Sequence, residues 1–148
     1  MVVQQQTDIS SHPYIIGGVT ITRRVEIADD DTRSGSLVKG TVMAYDSTNE
    51  NWVPWTDETA TDGTQYPVGV LLDTYTEAEV QAGPISDASM IVGGDNLLLN
   101  EDLVTFENSL TKDTIINVPT NLAKAAWQIL ADLGIHLVDT QEGTSYEA

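Results

Sequence analysis

Hydrophobic and polar residues alternate over residues 19–27. The apolar positions are Val19, Ile21, Val25 and Ile27, and the polar positions are Thr20, Thr22, Arg24 and Glu26. A period of two is typical of a half-buried β-strand. We therefore predict a strand here, with Arg23 on its apolar side.

Short apolar runs separated by turn-forming residues predict further strands. The predicted strands cover residues 37–45, 52–55, 68–72, 88–92 and 135–138, and shorter apolar pieces cover residues 97–99 and 103–106. Loops are predicted at residues 29–35, 46–51 and 56–65, and a loop or one helical turn at residues 77–83.

A single amphipathic helix is predicted at about residues 120–133. Its apolar stripe consists of Leu122, Ala126, Ile129, Leu130 and Leu133. Thr120 or Asn121 can cap the start, and Gly134 can adopt the left-handed conformation that closes a helix. The fold class predicted is mainly β (α+β): a compact small β-rich domain of short strands with a C-terminal amphipathic helix.

Residues 1–18 lack such periodicity and are punctuated by His12-Pro13 and Gly17-Gly18. We predict a flexible N-terminal arm over residues 1–18, followed by a single β-rich domain over residues 19–148. No leader pattern and no apolar run of membrane-spanning length is visible, so we expect neither a secretory route nor a membrane partner.

Charge divides the chain into two parts. Residues 1–40 hold five acids and four bases, whereas residues 41–148 hold eighteen acids and two bases, within a total net charge of −17. Nucleic-acid binding relies on cationic contacts to phosphate, so nucleic acid is not an expected partner. A near-neutral N-terminal segment (residues 1–40) on an acidic body indicates two surfaces with different roles.

Candidate catalytic and metal-binding groups are few. The chain has no cysteine, and its two histidines, His12 and His136, lie in the predicted arm and a predicted strand. The acidic runs Asp29–Asp31 and Asp57, Glu58 and Asp62 are oxygen-rich, but they lack the EF-hand spacing. We interpret them as solvated surfaces, and we expect no enzymatic activity, cofactor or metal.

Trp52 and Trp55 flank Pro54. Large aromatic residues supply much of the apolar area of small β-domains, which favours core or subunit-interface packing. A glycan-stacking platform is the alternative.

Several segments, taken in order, resemble the core of the lambda-type head decoration proteins of tailed bacteriophages. They are residues 39–43 (Lys-Gly-Thr-Val-Met), 52–55 (Trp-Val-Pro-Trp), 60–64 (Ala-Thr-Asp-Gly-Thr), 67–72 (Pro-Val-Gly-Val-Leu-Leu), 88–94 (Ala-Ser-Met-Ile-Val-Gly-Gly) and 133–135 (Leu-Gly-Ile). The resemblance covers about residues 37–138.

This resemblance implies a structural virion protein, made in the host cytoplasm and bound to the outer surface of the phage head. Such proteins form homotrimers at local threefold positions, where they clamp the major capsid protein against internal DNA pressure. The trimer forms either in solution or only on the capsid. A phage-surface adhesion or glycan-binding module is the runner-up, and a calcium-dependent binding domain is third.

The same resemblance assigns capsid attachment to the N-terminal segment. The predicted capsid-binding residues are Tyr14, Ile15, Ile16, Val19, Ile21, Arg23, Arg24 and Val25, and the predicted packing or trimer-interface residues are Trp52, Trp55, Leu97 and Leu98. The bases Arg23, Arg24, Arg33 and Lys39 would favour an acidic capsid surface. Residues 19–27 either pair with a strand edge of the capsid or belong to the domain's own sheet.

Overall fold

The computed structural model describes the backbone of residues 3–5 and, with their side chains, residues 12–117 and 123–139. The protein is mainly β, as predicted. Its elements are β1 Val3–Gln5, β2 Ile15–Ile27, β3 Val42–Asp46, β4 Asn51–Pro54, β5 Gly69–Leu71, α1 Glu77–Ala82, β6 Ile85–Asn100, β7 Ile115–Asn117, β8 Ala123–Ala125, α2 Ala126–Asp132 and β9 Ile135–Val138.

Five strands close into a small barrel. The sheet order is β1-β2-β4-β3-β5-β6-β9, and β2 also pairs with β6 along most of its length. The ring is closed between β2 and β4, where Ile27 and Trp52 are parallel partners and the Ala28 amide donates to the Trp52 carbonyl at 2.9 Å. Strands β7 and β8 form a separate two-stranded sheet.

Apolar side chains fill two clusters because successive residues of a strand point to opposite faces. Met43 of β3 and Leu71 of β5 belong to the cluster inside the barrel, with Ile27, Leu37, Val80, Ala88 and Met90. Val42 and Val70 belong to the cluster on the outer face, which includes Ile116, Ala126, Leu130 and Ile135 from the C-terminal elements. The C-terminal elements therefore cover the outside of the barrel.

The folded domain begins earlier than predicted. Tyr14 and Ile15 are each only 2% exposed, and Ile15 starts β2. The Tyr14 hydroxyl donates to the Leu71 carbonyl at 3.1 Å, and the Asn100 amide donates to the Tyr14 carbonyl at 2.7 Å. The arm boundary at residue 18 is thus wrong, because residues 12–18 pack into the domain. Residues 1–2 and 6–11 of the predicted arm lie outside the described residues.

The burial of β2 differs from the predicted alternation. Thr20 and Thr22 are buried, whereas Val19 and Ile21 are only half-buried. The pairing with β6 shifts register between Ile21 and Thr22. The extra residue of this β-bulge is Val92 on β6, so β2 keeps its alternation through Thr22 and loses it at Arg23 and Arg24, which are both exposed.

Strand β6 is longer than the two apolar pieces predicted for it. It runs through Gly93 and Gly94, where the Gly94 amide donates to the Leu133 carbonyl at 3.0 Å. Glycine has no side chain, which permits this close approach, because a Cβ on Gly94 would lie 3.1 Å from the Gly134 carbonyl oxygen. Leu97 and Leu99 are fully buried within the domain.

Helix α2 starts at Ala126, six residues later than predicted. Residues 123–125 instead pair with β7, which commits their backbone groups to a ladder. Leu122 and the predicted caps Thr120 and Asn121 lie outside the described residues. Ala126 and Leu130 are buried as predicted, and Gly134 has the expected positive φ of 84°. No helix among the described residues is long and apolar enough to cross a membrane.

Candidate interaction surface

The predicted capsid-binding residues all lie on or just before β2, but they differ in accessibility. Tyr14 and Ile15 are buried in the outer cluster, so the prediction that they contact a capsid is wrong for this fold. Arg23 and Arg24 are exposed, and Val25 is half-buried. Ile16, at the start of β2, is also 37% exposed, so contact with a partner is open at both ends of the strand. The second half of β2 carries the two arginines.

This half of β2 borders an open depression of about 530 Å³ on the barrel. We call it the β2 depression. Its lining combines β2 with the ends of several other elements: Arg23, Arg24, Val25, Glu26, Tyr45, Glu50, Trp52, Val68, Val92 and Leu133. The structure thus brings the predicted attachment residues Arg23, Arg24 and Val25 together with the predicted interface residue Trp52.

Tyr45 and Trp52 form the aromatic wall of the depression. They are direct cross-strand partners, and their ring centroids lie 5.5 Å apart at an interplanar angle of 56°. The Trp52 ring also lies against Gly69, where a Cβ would be only 2.7 Å from ring atom Cζ3. Trp52 therefore packs into the barrel interior with one side while its remaining surface stays accessible.

The two arginines of the depression differ from three of the other cations of the described chain. Arg33, Lys112 and Lys124 each form an ion pair with a carboxylate. Neither Arg23 nor Arg24 does so with any residue that the structure describes, although the Arg24 guanidinium donates to the Asp87 carbonyl at 3.2 Å. With Glu26 and Glu50 also present, the lining is neutral overall on a chain of net charge −17.

Arg33 is not available for an acidic partner, contrary to the prediction. Its guanidinium forms a two-pronged pair with Glu107, with contacts of 2.8 and 2.6 Å. The Arg33 side chain is only 9% exposed. The base therefore joins two loops of its own domain.

Trp55 and Leu97 are core residues. Trp55 is fully buried, its Nε1 donates to the Gln65 carbonyl at 2.8 Å, and it packs edge-to-face on Phe106. Leu97 is equally buried, whereas Leu98 is half-buried. Since Trp55 has no accessible ring face, Trp52 and Trp55 do not form a sugar-stacking platform.

The acidic loops are organised by local hydrogen bonds. Asp57 accepts from the hydroxyl and amide of Thr59, and these bonds lower the pKa of the Asp57 carboxyl. Asp62 accepts from the hydroxyl and amide of Thr64, which likewise lowers its pKa. Within residues 12–117 and 123–139, no group of three or more His, Cys, Asp or Glu side chains could hold a metal ion.

Comparison with protein-family models, with curated proteins and with solved structures finds no match. What the β2 depression binds is therefore inferred from its own chemistry. Tyr45, Val68, Val92 and Leu133 were not predicted as part of a surface. They come from separate elements, and no local sequence pattern signals that the barrel brings them together.

Proposed function

We propose that this protein is a structural component of a virion, which binds the outer surface of a tailed-phage capsid as a trimer and stabilises the expanded head. Its partners are the major capsid protein and further copies of itself. It is made in the host cytoplasm and acts without catalysis or a cofactor.

The arrangement of the resembling segments carries this proposal. Residues 39–43 lead into β3, residues 52–55 include most of β4, residues 67–72 contain β5, and residues 88–94 lie in β6. These strands are neighbours in the closed barrel. Four of the six resembling segments, which follow one another along the chain, thus lie in one structural unit.

The chemistry of the β2 depression supports a protein partner. Trp, Tyr and Arg are the residue types enriched among the side chains that dominate binding energy at protein interfaces. Trp52, Tyr45 and Arg23 all line this one depression.

Co-sedimentation with expanded, undecorated capsids tests the proposal. We expect saturable binding, with no further uptake by capsids that already carry a full set of decoration protein. The absence of saturable binding, together with specific retention on immobilised glycans, would favour the adhesion module instead.

A further inference from the structure

A second apolar surface shares no lining residue with the β2 depression. Ile115 of β7 is 56% exposed, the largest exposure among the large hydrophobic residues that the structure describes. It lines a shallow hollow of about 400 Å³ together with Glu58 and Tyr66. We call this the β7 surface. It combines an exposed aliphatic side chain with a carboxylate.

We propose that copies of this chain associate head to tail, with the β7 surface of one copy seated in the β2 depression of the next. Ile115 would contact the apolar lining around Trp52, and Glu58 would pair with Arg23. The inference deepens the proposed function by assigning the surfaces of its trimer. It requires no capsid, so it can fail while capsid binding stands.

Charge favours this pairing of surfaces. Copies of a chain with net charge −17 repel one another, so contact is least costly where the lining is neutral. The β2 depression is neutral and holds an arginine without a carboxylate partner among the described residues. The β7 surface offers the missing carboxylate in Glu58 beside an apolar anchor.

The placement of the two surfaces favours a ring. They share no lining residue, so one copy can use both at the same time. A dimer could form both contacts only if the two surfaces lay within one interface, so that Arg23 of each copy met Glu58 of the other. A head-to-tail contact joins unlike surfaces and gives closed rings when the rotation between copies closes. A ring of three matches the trimer of the proposed function.

Charge reversal tests the contact by native mass spectrometry and sedimentation velocity in solution. We expect a wild-type trimer. Arg23→Glu and Glu58→Arg should each weaken assembly by about tenfold or more, because each places like charges at the contact. The double variant, Arg23→Glu with Glu58→Arg, should recover most of the loss. Ile115→Ser, which leaves the charge unchanged, should also weaken assembly.

Matched controls separate the contact from net charge. Lys39→Glu changes the net charge as Arg23→Glu does, and Asp31→Arg changes it as Glu58→Arg does, but neither position lines either surface. Both controls should assemble like the wild type, and circular dichroism should show all variants folded. A wild-type monomer or dimer, a trimer insensitive to Arg23→Glu, or a double variant no better than the single variants would overturn the proposal.

Discussion

Arg33 and Glu107 join two loops that lie far apart in the sequence. The Nη1–Oε1 distance is 2.8 Å and the Nη2–Oε2 distance is 2.6 Å. The same guanidinium donates to the carbonyls of Gly35 and Ser36, at 3.2 and 3.0 Å. The hydrogen bond that Arg33 donates to Glu107 raises the pKa of Arg33, so the guanidinium stays charged. It fastens the loop between β2 and β3 to the segment after β6.

Glu107→Ala should lower the free energy of unfolding by about 2 kcal/mol, because it leaves a mostly buried guanidinium unpaired. Lys124→Ala is the control, since Lys124 pairs with Asp132 at 2.7 Å but both side chains are largely exposed. That change should cost less than about 1 kcal/mol. Urea denaturation measures both values. Equal effects would contradict a structural role for the Arg33–Glu107 pair.

Leu130→Ala should destabilise the protein by about 2–5 kcal/mol, because Leu130 is fully buried in the outer cluster. Trp127 lies on the same helix but is 44% exposed. Trp127→Ala should therefore cost clearly less stability despite the larger side chain removed. Thermal unfolding followed by circular dichroism compares the two. A larger loss for Trp127→Ala would mean that α2 packs through its other face.

Gly69→Ala should destabilise the barrel by roughly 1–3 kcal/mol through overpacking. The new methyl group would lie 2.7 Å from the Trp52 ring and 3.2 Å from the Ile91 carbonyl oxygen. Gly17→Ala is the matched control, because a Cβ there meets no atom within 4 Å. Denaturant unfolding gives the stabilities, and tryptophan fluorescence reports the Trp52 environment. A tolerated Gly69→Ala would show that the ring does not depend on this close approach.

Tyr14 should make the protein sensitive to alkali. Burial raises the pKa of its phenol, with Asp73 adding to the shift. A raised pKa in the folded state stabilises the fold below the unfolded-state pKa, and this stability is lost as the pH rises above about 10.

The tyrosinate absorbance of the wild type should therefore include a group that ionises together with unfolding. Tyr14→Phe should remove that component. It should also cost about 1 kcal/mol at neutral pH, because the Leu71 carbonyl loses its hydrogen bond from the hydroxyl. An unchanged alkaline titration in Tyr14→Phe would contradict this account.

Local patterns predict the elements that local interactions determine. The apolar run over residues 68–72 contains β5, and residues 135–138 form β9 as predicted. Local patterns fail where pairing with a segment that is distant in the sequence determines the secondary structure. Gly93 and Gly94 suggest the end of a strand, but pairing with β2 and the approach of Leu133 carry β6 through them. Residues 123–125 continue a helical pattern, yet β7 holds them as a strand.

The candidate surface was predictable only in part. Arg23, Arg24 and Val25 follow from the charge and alternation of one strand. Trp52 was recognised as an interface or packing residue by its size. Their meeting beside Tyr45 depends on barrel closure between β2 and β4, which no single segment of the sequence encodes.

Electron cryo-microscopy of expanded capsids saturated with this protein is the decisive measurement for the proposed capsid role. We expect added density on the outer surface at local threefold positions, into which three copies of the barrel fit. Capsids that stay bare at saturating protein, or density without threefold character, would contradict it.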